Sequence, residues 1–300
     1  MHDVALVPPS SIPSPTPLGA YTHLQHDEFL LVTGWQRATD RDFTFRVTWP
    51  AVQGDLAYDP RLLAQTVRQT GLVVAHAEYG VPLTHQTMLS TLGFTISPGL
   101  RLPRDRPSAL DVQVTVAEAG SGRRANGSLR MDFHVLLGGA TVARAEAAFG
   151  WISPGAYRRV RGDRVDVDWG AWPLPEAIGA EHVGRASAAD VVLAAGDRPG
   201  RWLLRNDTGN RLLFDHPVDH VPGLALLEAA HQAAHALPAP APLVPSGIAA
   251  AYQRYVEFDR PCWIEAASLP AAAPGERLVR VTGTQDGQPA FTVDFTGPGN

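Results

Sequence analysis

The stretch from Pro222 to Leu237 reads PGLALLEAAHQAAHAL and is polar only at Glu228, His231, Gln232 and His235. Its length and composition are typical of an α-helix, and a helix this apolar is buried on nearly every side. Together with the strand patterns described below, such a helix indicates a core that a sheet wraps. This stretch therefore decides the class of fold.

A second long helix is predicted from Asp59 to Tyr79, DPRLLAQTVRQTGLVVAHAEY, with Asp59 as its N-cap and Pro60 at its first position. The two helices align without a gap when Gln69 is set against Gln232. The same alignment pairs Gln65 with Glu228, and Arg68 with His231. The order of strand, helix and strands occurs twice, which indicates an internal repeat.

Segments of alternating apolar and polar residues surround the helices and are typical of half-buried antiparallel strands. The clearest are DFTFRVTW (42–49), LDVQVTV (110–116), LRMDFHV (129–135) and FTVDF (291–295). A long helix wrapped by a curved antiparallel sheet is a hotdog fold of the α+β class. We predict a tandem double hotdog that forms a pseudo-dimer, with an N-terminal hotdog over 1–155, a linker over 156–176 and a C-terminal hotdog over 177–300.

Composition excludes several kinds of chemistry. All 25 Lys+Arg residues are arginine, so a P-loop, an internal Schiff base and a Ser-Lys dyad are ruled out. A net charge of −5 argues against a nucleic-acid partner, and the single Cys262 cannot form an internal disulfide. The opening MHDVALVPPSSIPSPTP lacks a leader pattern and no long apolar span follows, so we expect a cytoplasmic protein that needs no membrane.

Polar residues concentrate in and just before the apolar helix, in LFDHPVDHVPGLALLEAAHQ (213–232). His216, Asp219 and His220 precede the helix, and a spacing of three places Glu228 and His231 on one helix face. A buried carboxylate is costly unless it is paired or used in function.

This stretch resembles the signature of the A-factor biosynthesis (AfsA-like) hotdog family. DPRLLAQTVRQTGLVVAHAEYGVPL is similar to the motif of that family's first half. Further similarity lies in VGRASAADVV (183–192), YVEFDRP (255–261), and His23 with the nearby FLLVTGW.

The resemblance implies an acyltransferase of γ-butyrolactone or butenolide signal biosynthesis. Such enzymes move a β-ketoacyl group from acyl carrier protein to dihydroxyacetone phosphate, and we expect no cofactor. The spacings of His216 with His220 and of His231 with His235 are compatible with zinc ligands, but prolines break the first pair out of a helix and no cysteine assists, so we expect no metal. The implied catalytic residues are Glu228, His231, Arg68 and Gln65, with Glu228 as base and Arg68 as phosphate anchor. The implied substrate-binding residues are His216, Asp219, His220, Gly223, Gln69 and Gln232, with amides near Gly223 as oxyanion donors.

Two departures from the family pattern stand out. The family repeats a Glu-x-x-Arg pair in both helices, whereas this chain has Gln65 with Arg68 and Glu228 with His231. One alternative is therefore a non-catalytic protein that binds acyl or butenolide ligands. Another is a hotdog acyl-thioester dehydratase or thioesterase, since a loop histidine and a helix carboxylate also serve such enzymes.

Some residues also have structural interpretations. Arg68 is able to pair with Glu78 or with a core Asp, and Gln69 and Gln232 are able to pair with backbone. Arg158, Arg159, Arg161 and Arg164 are interpreted as a solvated linker or as a docking site for an acidic carrier protein. We expect a monomer, or a dimer of such monomers.

Overall fold

The computed structural model describes residues 18–53, 56–119, 126–237, 243–271 and 273–299. The opening segment MHDVALVPPSSIPSPTP, on which the expectation about a leader rests, lies outside the described residues. The first half contains α1 (Leu18–Thr22), β1 (Val32–Arg37), β2 (Asp42–Trp49), α2 (Pro60–Val73), β3 (Gln86–Ile96), β4 (Ser108–Ala119), β5 (Asn126–Leu137) and β6 (Ala140–Ile152). Next come α3 (Pro154–Arg161), β7 (Leu193–Ala195), β8 (Arg201–Leu204), α4 (Gly223–Ala236), β9 (Gly247–Tyr252), β10 (Cys262–Leu269), β11 (Glu276–Gln285) and β12 (Gln288–Pro298).

The strands of both halves form one antiparallel sheet, in the order β1-β2-β4-β5-β6-β3-β9-β12-β11-β10-β8-β7. Counted inward from its two edges, the sheet repeats the same arrangement of strands. β3 and β9 join the halves at the centre, through residue pairs that run from Thr91 with Ala251 to Thr95 with Gly247. The predicted tandem double hotdog and its pseudo-dimeric arrangement are confirmed.

The inward faces of the strands cover the long helices. In β2, the alternating residues Phe43, Phe45, Val47 and Trp49 are each at most 2% exposed. The indole nitrogen of Trp49 donates a hydrogen bond of 2.7 Å to the Thr66 hydroxyl on α2. The alternation in the sequence thus reports burial against a helix, as predicted.

The starts of the long helices agree with the sequence signals. The Asp59 side chain caps α2 by accepting a hydrogen bond from the Arg61 amide, and Pro60 is the first helical residue. Every residue of α2 except Arg68 is buried. A π-helical turn, Val74–Glu78, follows α2 directly. No helix in the described part of the chain is long and apolar enough to cross a membrane.

A glutamine on each long helix fixes it to an extended segment of its own half. In both halves the side-chain oxygen accepts a hydrogen bond from a backbone N–H, and the side-chain nitrogen donates to the backbone carbonyl two positions earlier. Gln69 bonds Leu31 N (2.8 Å) and Phe29 O (2.8 Å), and Gln232 bonds Val192 N (3.0 Å) and Asp190 O (2.7 Å). The same pair of contacts recurs in both halves, so the internal repeat extends beyond the helices.

The segment that follows β6 forms α3, which packs on the second half through Arg161. Nη1 and Nη2 of Arg161 each donate a 2.7 Å hydrogen bond to the Glu257 carboxylate. The solvated interpretation of the arginine cluster is therefore wrong for Arg161, whereas Arg158 and Arg159 are exposed. The 156–176 boundaries of the linker remain a prediction.

Replacing Gln69 by leucine should lower the free energy of unfolding by about 2–4 kcal/mol, because a buried backbone donor and acceptor lose their partners. Chemical denaturation measures the loss. Gln113→Leu is the matched control on the exposed face of β4, and it should change stability by less than about 0.5 kcal/mol. Equal effects of the two substitutions would contradict the role of Gln69.

Candidate active site

The polar positions that the repeat pairs have different surroundings in the two halves. α2 and α4 are in contact, and each carries a separate group of polar side chains. We name the groups by their central residues. The Glu228 site comprises Glu228, His231, Gln232, Arg185 and Arg61, and the Arg68 site comprises Arg68, Gln65, His23, Asp215 and His216.

The carboxylate of Glu228 is held by Arg185 in a bidentate ion pair. Arg185 Nε donates to Oε1 at 2.6 Å and Nη2 donates to Oε2 at 2.8 Å. Gln232 Nε2 also donates to Oε1 at 2.5 Å, and Arg185 Nη2 lies 3.1 Å from His231 Nδ1. Glu228 is only 1% exposed. Both oxygens of its carboxylate therefore accept hydrogen bonds from protein groups rather than from solvent.

The electrostatics of this site hold Glu228 ionised and His231 neutral. Burial alone raises the pKa of Glu228, but the positive charges of Arg185 and Arg61 outweigh burial and hold that pKa at about 2. Burial and the charge of Arg185 lower the pKa of His231 to about 3. A carboxylate with a low pKa and occupied oxygens is a poor base. These contacts favour a structural ion pair, and the base role of Glu228 remains a sequence prediction.

Arg61, at the start of α2, supplies a second cation near Glu228. It bonds Asp59 through Nε and Nη2, and its Nη1 donates to Asp190 at 3.0 Å. A small pocket between the two helices has mostly apolar walls. Its lining comprises Pro60, Arg61, Leu224, Leu227, Glu228, His231, Ile248 and Phe295. The charged groups of this pocket already have partners.

Arg68, in contrast, has no charged partner among the described residues. Its guanidinium makes no hydrogen bond and no ion pair with any residue that the structure describes. The predicted pairing with Glu78 is wrong, because Glu78 accepts from Trp35 Nε1 and Arg37 Nε, both at 2.7 Å. Burial lowers the pKa of Arg68 to about 10, and the negative charge of Asp215 opposes that shift. A partly buried, charged guanidinium with free donors is suited to bind an anion.

Gln65 lies one turn before Arg68 on the same face of α2 and is 5% exposed. Its Oε1 is buried and accepts no hydrogen bond within the described ranges. Buried polar atoms are usually paired. An acceptor without a donor beside a cation without an anion indicates a place where a polar ligand completes the site.

A loop of the second half closes one side of the Arg68 site. Asp215 accepts hydrogen bonds from the Gln25 amide at 2.7 Å and the His26 amide at 3.1 Å. Its carboxylate also lies 2.9 Å from the Nδ1 atoms of both His26 and His216. The loop before α4 is therefore anchored to the first half, and both halves contribute to the site.

Asp219 and His220 lie in a different cluster from the one the sequence predicts. Asp219 accepts from the Tyr157 hydroxyl at 2.7 Å and from Arg161 Nε at 2.8 Å. His220 Nδ1 lies 2.8 Å from Asp219 Oδ1. Their hydrogen bonds go to α3 rather than to Arg68 or Glu228, so the contacts give these two residues a role in docking α3.

The remaining predicted residues are at or next to the long helices. Gly223 is the first residue of α4, and its carbonyl accepts from the Tyr252 hydroxyl at 3.1 Å. The side-chain amides of Gln69 and Gln232 form hydrogen bonds with backbone groups. This agrees with the structural role that the sequence offered for them as an alternative to substrate binding. Within the described residues, no group of three or more His, Cys, Asp or Glu side chains is arranged to hold a metal ion.

The family profile described as the A-factor biosynthesis hotdog domain matches residues 17–153 and 170–298. A Streptomyces virginiae protein named "2-oxo-3-(phosphooxy)propyl 3-oxoalkanoate synthase" is 39% identical, over 88% of this chain and 91% of its own. A Streptomyces coelicolor protein of the same name is 39% identical, over 82% of this chain and 78% of its own. The chain belongs to the A-factor biosynthesis hotdog family.

Solved structures add evidence about the fold alone. A 12:0-ACP thioesterase from Umbellularia californica superimposes with a TM-score of 0.52 at 12% identity, over 85% of this chain and 97% of the thioesterase. At that identity the similarity carries no information about the reaction. It agrees with the hotdog architecture derived above.

Arg185, which lies outside α4, supplies the cation that a buried Glu228 needs. Setting the glutamine partners Leu31 and Val192 against each other aligns Arg185 with Leu24. The first half thus has no corresponding cation at that position, and its helix carries the neutral Gln65 instead of a glutamate.

Arg185 was not among the residues predicted for the site, although VGRASAADVV contains it. Extending the alignment of the two helices to the segments before them pairs Arg185 with Thr22. The pairing with Leu24 appears only when the backbone partners of Gln69 and Gln232 are known. The partner of Glu228 was therefore not predictable from the repeat in the sequence.

Replacing Arg185 by methionine should lower the free energy of unfolding by about 3–5 kcal/mol, because it leaves the buried Glu228 carboxylate unpaired. Adding Glu228→Gln to that variant should recover part of the loss. Thermal and chemical unfolding of the wild type, both single variants and the double variant give the coupling energy. Additive losses would contradict a structural ion pair.

Proposed function

We propose that this chain transfers a 3-oxoacyl group from an acyl thioester to a hydroxyl of dihydroxyacetone phosphate. The product is the 2-oxo-3-(phosphooxy)propyl 3-oxoalkanoate ester for which its relatives are named. The observation that carries the proposal is the partly buried Arg68 guanidinium, which lacks a counter-ion among the described residues at a site built from both halves. The ester belongs to the γ-butyrolactone and butenolide class of signal precursors.

A phosphorylated acceptor fits the Arg68 site because phosphate supplies what the site lacks. Its oxygens accept from the guanidinium, which binds oxyanions through parallel N–H donors. The absence of lysine from the sequence leaves arginine, histidine and backbone amides as the groups that hold phosphate.

The thioester carbonyl needs hydrogen-bond donors for the charge that develops on its oxygen. The first amides of α4, at Gly223, remain the proposed donors because a helix start presents free N–H groups and a favourable dipole. Glu228 has a positioning role in this proposal, since its ion pair with Arg185 fixes α4 against the 185–192 segment.

The contacts of Glu228 argue against dehydration and thioester hydrolysis, the two alternative reactions. A dehydratase or thioesterase of the type considered from the sequence uses a helix carboxylate to move protons or activate water. Glu228 has both oxygens bonded by protein groups, and Gln65 does not ionise. Reactions of carrier-bound 3-oxoacyl and 3-hydroxyacyl thioesters, each with and without dihydroxyacetone phosphate, separate the possibilities by mass spectrometry, since only the 3-hydroxyacyl thioester is able to lose water to an enoyl product. Ester formation supports transfer, free acid or enoyl product supports the other enzymes, and binding without turnover supports a ligand-binding protein.

At pH 8, Arg68→Ala should weaken binding of dihydroxyacetone phosphate by about 10- to 100-fold, because it removes a charge-assisted contact worth about 1.5–3 kcal/mol. His231→Ala should have a much smaller effect, since His231 is neutral and bonded to Arg185. Calorimetric titration measures both dissociation constants. Arg46→Ala, at an exposed position of β2, is the control. Weaker binding in His231→Ala than in Arg68→Ala would contradict the assignment of the phosphate site.

We further propose that the acyl donor is bound to an acyl carrier protein that docks on α3. Carrier proteins are acidic, and α3 presents the exposed Arg158 and Arg159 together with Val160 at 65% exposure. The buried face of α3 binds Asp219 through Arg161, and one short loop connects Asp219 to Asp215 of the Arg68 site. The docking surface is thus linked through that loop to the site it would serve.

Reversing the charge at both Arg158 and Arg159 with glutamate should raise KM for the carrier-bound donor about 10-fold or more, and the effect should shrink at high salt. The same variant should leave KM for a small pantetheine thioester unchanged. Arg106→Glu is the matched control, since Arg106 is exposed and lies away from α3 in the sequence. Equal changes for the two donors would contradict docking at α3.

A further inference from the structure

A pair of histidines borders the Arg68 site, and neither has a role in the function proposed above. His23 Nε2 lies 2.8 Å from His76 Nε2. His76 Nδ1 lies 2.8 Å from the backbone carbonyl oxygen of Val81. The two rings are tilted by 39°, with centroids 4.8 Å apart. The pair is thus joined edge to edge and tied at one end to the backbone.

The hydrogen-bond chain determines which nitrogen of each ring carries a proton. The Val81 carbonyl only accepts, so His76 Nδ1 must be the donor. The Nε2 atom of a neutral His76 then carries a lone pair, and His23 Nε2 must donate to it. This leaves His23 Nδ1 as the basic nitrogen, and no residue of the described ranges donates to it.

Local backbone conformation at both histidines is unusual. His23 has a φ of 56°, in the left-handed region that a residue other than glycine rarely adopts. His76 lies in the π-helical turn Val74–Glu78 and is 6% exposed. Left-handed residues and π-helical turns are enriched at functional sites. His23 itself is only partly buried.

His23 lies in the field of the Arg68 site. Burial, His76, Arg68 and His216 together lower its pKa to about 4. These three groups come from the π-helical turn, from α2 and from the loop before α4. His216 is in turn held by Asp215 at 2.9 Å. His23 is therefore neutral at physiological pH and carries a lone pair beside the proposed phosphate anchor.

We propose that His23 is the catalytic base of acyl transfer and that His76 is its positioning residue, an inference that rests on the function proposed above. His23 Nδ1 takes the proton of the acceptor hydroxyl as that oxygen bonds to the thioester carbonyl carbon. The C–S bond then breaks, and the proton on His23 passes to the departing thiolate. The products are an ester and a free thiol, and His23 returns to its neutral form.

Arg68 makes the strength of this base depend on the acceptor. Without an acceptor, the Arg68 charge disfavours a proton on His23, which limits activation of water and loss of the thioester. When a phosphate dianion pairs with Arg68, that opposing charge is offset. The pKa of His23 then rises toward the range in which a base works best. Binding of the correct acceptor thus prepares the base for its reaction.

Kinetics of His23→Gln test the base role. We expect kcat to fall by about 10²- to 10⁴-fold, with the dissociation constant of dihydroxyacetone phosphate changed by less than about 3-fold. His76→Phe should lower kcat less, by removing the acceptor that fixes the His23 tautomer. His182→Ala, at an exposed histidine outside the site, should match the wild type. Imidazole added to His23→Ala should restore part of kcat, which excludes misfolding as the cause.

NMR titration of His23 tests the coupling to Arg68. Its pKa should rise by about one unit or more on addition of dihydroxyacetone phosphate in the wild type, and should not respond in Arg68→Ala. If the wild type forms the ester but His23→Gln keeps its kcat, or imidazole rescues nothing, the base assignment is overturned while the proposed function stands. If the wild type forms no ester, the proposed function itself fails.

Discussion

The pairing of β3 with β9 is the constraint on which the rest of the molecule depends. It closes the inner edge of each half-sheet, where unpaired backbone groups would otherwise face solvent or another chain. It also makes one body of two hotdogs and sets α2 against α4. The loop before α4 consequently reaches the first half, where Asp215 binds the backbone at Gln25 and His26 beside Arg68. Both candidate sites therefore belong to the paired sheet rather than to either half alone.

The two halves share one arrangement of strands and helices but differ in charge at corresponding positions. Within each half, the residues on the helix and on the segment beside it differ together. In the second half a buried carboxylate, Glu228, is matched by Arg185. In the first half, α2 carries the neutral Gln65 at the position of Glu228, and Leu24 occupies the position that corresponds to Arg185. A buried charge is tolerated only with a counter-charge, so these differences compensate within each half. The result is one site whose charges neutralise each other and one site with an available cation, Arg68.

The sequence predicts those features that depend on local periodicity. Alternation identified β2 and its buried face, the Asp59 and Pro60 pair marked the start of α2, and the alignment of the two helices revealed the repeat. The surroundings of the polar residues were not predictable in this way, because their partners are distant in sequence. Arg185 precedes Glu228 by 43 residues, and 53 residues separate His23 from His76. The phosphate role of Arg68 stays a prediction, which rests on the few ways in which a chain without lysine can hold phosphate.

A crystal structure of the wild-type protein with dihydroxyacetone phosphate tests the central claim most directly. The account predicts the phosphate on the Arg68 guanidinium, with the acceptor hydroxyl directed to His23 Nδ1 and the Glu228–Arg185 pair unchanged. A phosphate bound instead between Arg61 and Arg185, with Glu228 released from its ion pair, would contradict it.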